Sequence, residues 1–181
     1  FIIFFGICDF FVSNFFFTYF SNKSGTSHAI YHHTLKSNQE QIINFGPIKY
    51  KLCTNVYGFR VHCENKDITK KTYKYALIGD SFTEGTFDYD ETYAGIFERR
   101  FKNTVNLGVS SYSNIIYFSK IFHLIEKQNF KFDEVILFFD NTDIIQDQRY
   151  TLDNNNSVKV KKDVFSPKLD SAWKRNSFKN F

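Results

Sequence analysis

The chain has 181 residues, 23 Lys plus Arg against 19 Asp plus Glu, and a formal net charge of +4. That size fits one ordinary domain and excludes a large multidomain enzyme, while 43% hydrophobic and 23% charged residues exclude a wholly disordered chain. The charge is spread out, without the concentrated basic patch that binding a phosphate backbone needs, so no nucleic-acid partner is expected.

The 24 Phe and 11 Tyr carry no functional weight by number, and the absence of Met marks the chain as processed or as a fragment. Residues 1–20, FIIFFGICDFFVSNFFFTYF, are long enough to cross a hydrocarbon core of about 30 Å, with Asp9 and Asn14 as costly interruptions. The preferred reading is a transmembrane signal anchor, with a signal peptide and a buried helix as rivals. It carries the expectation of a membrane-anchored protein whose remainder lies outside the cytoplasm, at a periplasmic or cell-surface location. Lys23 alone does not set the orientation.

Residues 21–49 read as a polar lead-in. His28, His32 and His33 have a spacing that would place two of them on one helical face as metal ligands, but no Glu accompanies them as in HExxH, and packing histidines are preferred. Short extended pieces follow around Tyr50 to Phe59. Cys53 and Cys63 flank a loop-like stretch, and whether they pair is open, because spacing does not give bond geometry.

From Tyr73 the pattern becomes strand, helix, strand, helix, strand. Tyr75 to Ile78 is a short apolar run stopped by Gly79, and Glu91 to Phe101 carries Tyr93, Ile96, Phe97 and Phe101 at helical spacing. Thr104 to Leu107 is a second strand. Ser113 is the expected N-cap of a helix running to about Lys127 with Ile115, Phe118, Phe122 and Ile125 as its apolar stripe. Glu134 to Phe139 is a third strand, and everything after Asp147 reads as a long loop, with no fourth strand and helix to complete the domain 50–181.

This alternation predicts an α/β three-layer sandwich with a parallel flavodoxin-like sheet. Its ligand crevice should lie beyond the carboxyl ends of the strands, in the loops 79–85, 108–113 and 140–147. The first of these, Gly79-Asp80-Ser81-Phe82-Thr83-Glu84-Gly85, lacks both the Lys-Ser/Thr of a P-loop and the GxGxxG of a dinucleotide fold. What remains is a nucleophile, Ser81, presented on a tight turn at a helix N-terminus, where free N–H groups favour an oxyanion.

ALIGDSFTEG resembles the first block of the SGNH/GDSL hydrolase superfamily, in which Gly-Asp-Ser holds the catalytic serine. Tyr57-Gly58-Phe59-Arg60 resembles the GFR segment of many members, and Asn106-Leu107-Gly108-Val109-Ser110 resembles the second block. Together the matches span roughly residues 50 to 148, a combination more specific than a lone GDS. The resemblance implies a serine esterase, deacetylase or O-acyltransferase acting through an acyl-serine on an acylated small molecule or glycan, without metal or cofactor. Ser81 would be the nucleophile, and its N–H and that of Gly108 would hold the oxyanion. The family's third block is Gly-x-Asn-Asp. Here Asp140-Asn141-Thr142-Asp143 leaves two donors open, Thr142 at the expected position or Asn141 beside it.

The family's Asp-x-x-His block has no counterpart, since the last histidine is His123, which reads as a surface residue rather than the base. A serine without its base loses several orders of magnitude in rate, so the chain alone should be nearly inactive. The competing expectation is an inactive SGNH-like module that binds a glycan or an envelope partner.

Overall fold

A computed structural model describes residues 24–161 other than residue 46, together with Gly6. Three strands run where apolar runs end in Gly or Asp: β6 (Thr72–Ile78), β7 (Thr104–Asn106) and β8 (Lys131–Leu137). β6 pairs in parallel with β7 on one side, Leu77 facing Asn106, and with β8 on the other, Ile78 facing Leu137. The helices α2 (Tyr93–Arg100) and α3 (Asn114–Glu126) are the crossovers.

The two faces of β6 feed two cores. Tyr73, Ala76 and Ile78 join Ile116 and Leu124 of α3 in one, whereas Leu77 packs with Tyr89 and Ala94 in the other. Tyr75, on the same face as Leu77, meets Phe97 and Phe101 edge-on at 5.6 and 5.8 Å. From Tyr75 to Ile78 the division follows the pleat, because successive side chains point to opposite faces; Tyr73, at the start of the strand, joins the first core although it has the parity of Tyr75 and Leu77.

The expected all-parallel, flavodoxin-like sheet does not form. The sheet is mixed and six-stranded, in the order β3-β4-β5-β7-β6-β8. Its other half comes from the lead-in: β3 (Glu40–Phe45) and β4 (Ile48–Thr54) form a hairpin, and β5 (Arg60–Val61) joins β4 antiparallel to β7. β4 overlaps the extended pieces expected from Tyr50, whereas β3 and the two-residue β5 fall outside the expected elements, β5 because so short a strand leaves no period to read. Tyr50 and Leu52 of β4 are buried while Lys49 and Lys51 are exposed. A further hairpin, β1 (Gly25–His28) and β2 (His32–Leu35), carries the histidines.

Other expectations change as well. The segment after Asp147 is a hairpin, β9 (Tyr150–Leu152) and β10 (Val158–Val160), and not a loop. Residues 141–147 form a helix, α4 (Asn141–Asp147). The buried face of α3 is Ile116, Tyr117, Lys120 and Leu124. The expected stripe of Phe118 and Ile125 is exposed and, with Phe122, Val135 and Leu137, lines a groove of about 370 Å³. A lysine at the centre of the buried face hid the true period. Ser113 stands at the N-cap position, but its hydroxyl makes no capping bond. Asp147 caps the helix instead, accepting the Ile115 N–H and the Asn114 side-chain amide at 2.9 Å each.

The membrane anchor and the extracytoplasmic, membrane-anchored location are corrected. Residues 1–20 lie outside the described residues apart from Gly6, and among the described residues no helix is long and apolar enough to cross a membrane. Cys53 and Cys63 are joined in a disulfide that ties β4 to the segment following β5.

Candidate functional site

β7 and β8 lie on opposite sides of β6, so the chain reverses its direction of progress across the sheet at the carboxyl end of β6. Such a switch point opens a crevice, and a cavity of about 770 Å³ lies there. Its wall takes Asp80, Ser81 and Phe82 from the turn after β6, Ser110 and Ser111 from the loop after β7, and Asp140 and Thr142 from the end of β8.

The turn holding Ser81 is short and tightly packed. The helix α1 (Ser81–Glu84) is a single turn, too short for a macrodipole of any size, and Asp80 caps it by accepting the Phe82 N–H at 3.0 Å. Gly79 is required, because a Cβ there would sit 2.0 Å from Thr83 Oγ1 and 2.9 Å from the Phe138 carbonyl. The Ser81 hydroxyl is half-buried and donates to Asp80 Oδ2 at 3.4 Å, which leaves it loosely held. No hydrogen bond is made by the Ser81 N–H among the described residues.

Beneath the turn lies Arg60, fully buried. Its guanidinium donates to the carbonyls of Glu84 at 2.6 Å, Gly85 at 2.5 Å and Phe87, and it lies over the rings of Tyr50 and Tyr89. A planar fork can reach several diverging carbonyls at once, which a lysine ammonium does not do. The Gly-Phe-Arg segment thus clamps the loop that follows Ser81.

Gly108 does not line the cavity. Its N–H donates to Asn106 Oδ1 at 2.9 Å, while Asn106 donates to the Thr83 carbonyl at 2.8 Å. Gly108 serves close approach, since a Cβ there would fall 2.5 Å from Thr83 Cβ and 2.7 Å from the Glu84 nitrogen. The residues that face the cavity from this loop are Ser110, whose N–H donates to Glu84, and Ser111. Ser111 stands in the left-handed region at φ 65°, and its N–H makes no hydrogen bond among the described residues. Sequence reasoning missed it because Ser carries no turn signal comparable to Gly.

Thr142 lines the cavity and Asn141 does not. The Thr142 hydroxyl and N–H both donate to Asp140 Oδ1, at 2.6 and 2.7 Å, and these bonds hold the Asp140 carboxyl below its usual range. Asp143 is fully buried. It accepts the Tyr117 hydroxyl and the Asp140 N–H at 3.0 Å each, and burial raises its pKa, aided by the charges of Asp80 and Asp140. It is a capping and packing residue.

Among the described residues no histidine lines the cavity. His123 lies at a separate cleft with Ile30, Lys127 and Asn156. His28 stacks on Tyr31 at 3.5 Å, and His32 and His33 share a hydrogen bond of 2.7 Å between their Nδ1 atoms. His33 Nε2 also bonds the Ser110 carbonyl at 2.8 Å, so it supports the cavity loop from behind. No group of three or more His, Cys, Asp or Glu among the described residues could hold a metal ion. Comparison with protein-family models, with curated proteins and with solved structures finds no match.

Proposed function

We propose that Ser81 is the nucleophile of an SGNH-type acyl-ester site, an esterase, deacetylase or O-acyltransferase for an acylated small molecule or glycan. The observation that carries this reading is the convergence of three successive parallel-strand ends on one cavity, with a loosely held serine at the switch point. Ser81 Oγ bonds to the acyl carbon, the carbon–oxygen bond to the alcohol breaks, and the hydroxyl proton leaves with the alcohol. Water or a second alcohol then takes the acyl group. The Ser81 and Ser111 N–H groups are the oxyanion donors in this scheme, while Thr142 stands at the wall with both its donors committed to Asp140.

A second reading is a module of the same fold that binds an acylated ligand without turning it over. The absence of a histidine from the cavity wall among the described residues favours it. A fluorophosphonate reporter separates the two. Labelling that maps to Ser81 and disappears in Ser81→Ala supports the nucleophile, whereas a wild-type chain that stays unlabelled while folded leaves the binding module.

A further inference from the structure

The cavity wall is one-sided in charge. Asp80, Glu91 and Asp140 contribute carboxylates, and among the described residues no Lys, Arg or His lines it. Arg60 lies under the floor, but the two terminal nitrogens of its guanidinium donate to backbone carbonyls, and it sits within the field of the buried Glu84. Asp140 stays ionised because Thr142 donates to it twice. The remaining wall is aromatic: Phe45, Phe82 and Phe87 are exposed and border the same cavity. Apolar ring faces beside carboxylates attract an organic cation twice over, through the ring quadrupole and through the charge, and both repel an anion.

From this geometry we infer that the site selects esters whose alcohol portion carries an onium group, in preference to neutral esters and against anionic ones. The inference deepens the Ser81 reading and rests on it for its covalent form. In that form the cationic alcohol departs with the serine proton, and the acyl group stays on Ser81 Oγ.

The test uses the 181-residue chain and three methylphosphonates that differ only in the leaving group: a trimethylammonium-ethylthio group, its uncharged tert-butyl isostere, and a carboxylate-bearing analogue. The cationic reagent is expected to label Ser81 at least about tenfold faster than the isostere, and the anionic one slower than both. The double variant Glu91→Gln, Asp140→Asn should bring the first ratio to within about threefold, with an unchanged melting temperature because Asn caps a helix as well as Asp does. Anionic labelling as fast as cationic, or a cationic preference undiminished in the double variant, overturns the inference. If no reagent labels Ser81, the nucleophile reading fails, and the charge preference is decided by equilibrium binding. Benzyltrimethylammonium should then shift the Ser81 and Ser111 amide resonances where benzenesulfonate does not, and the reverse or equal shifts overturn it.

Discussion

Glu84 Oε2 accepts the Ser110 N–H at 2.6 Å, joining the turn that carries Ser81 to the loop that follows β7. The bond sits on the floor of the candidate site, and Glu84 is buried there with Arg60 and Lys120 nearby. Two loops from different strands are thereby held in one register, and Ser111 is the next residue along.

Burial raises the Glu84 carboxyl above its ordinary value of 4.5, outweighing the Ser110 bond and Arg60. The folded state therefore holds the proton to a higher pH than the unfolded chain, so the Glu84 contribution to stability is largest at low pH and is lost as pH rises from about 4.5 through the raised value. Glu84→Gln keeps an oxygen for Ser110 and should flatten this part of the profile. Glu84→Ala leaves the N–H unpaired and should cost about 1–3 kcal/mol. Urea unfolding across that pH range checks both.

Gly108→Ala should destabilise by about 1–3 kcal/mol and slow labelling of Ser81. The new Cβ would fall 2.5 Å from Thr83 Cβ and 2.7 Å from the Glu84 nitrogen, which belong to the Ser81 turn itself. Ser111→Gly should leave labelling intact and raise stability by up to about 1 kcal/mol, since its φ of 65° suits Gly. Thermal melting together with the labelling rate of each variant is the measurement.

Lys120 is fully buried, donating to the Leu107 carbonyl at 2.8 Å and the Tyr112 hydroxyl at 3.2 Å, and burial pushes its pKa down to about 7. Between about 7 and the ordinary value of 10.5 the unfolded chain binds a proton that the folded one does not. Stability attributable to Lys120 should then rise with pH through this window, by at most about 1.4 kcal/mol per pH unit. Lys120→Met should remove that slope. Denaturant midpoints measured through the window for both chains decide the matter, and parallel profiles would contradict the assignment.

The Cys53–Cys63 disulfide closes a short loop running from β4 through β5. Replacing both cysteines by Ser should cost about 2–3 kcal/mol and leave Ser81 labelling at the same rate, because neither cysteine lines the cavity. Chemical denaturation of the oxidised and the variant chains, each followed by labelling, tests the two halves of this statement.

How much of this was legible in the sequence depends on how far apart the interacting residues lie. The strands β6, β7 and β8, the two crossover helices and the placement of Ser81, Thr142 and Asp140 at strand ends follow from local patterns, because an apolar run ended by Gly or Asp and a 3.6-residue period are written in adjacent residues. The junction of the antiparallel half with the parallel half is not local. The two-residue strand β5 pairs with β4 nearby but joins the parallel half only because Arg60 finds Asn106 across the chain, and no short window of sequence contains that pairing. The same holds for the site. That Gly108 gives its N–H to Asn106 while Ser111 turns to the cavity, and that Arg60 grips the loop after Ser81, are outcomes of which backbone groups remain unpaired after the sheet has assembled. Sequence alone determined the candidate nucleophile and the strand that presents it. The surrounding donors and the charge of the cavity were decided by tertiary packing, since hydrogen-bond partners and burial depend on contacts between residues remote in the chain.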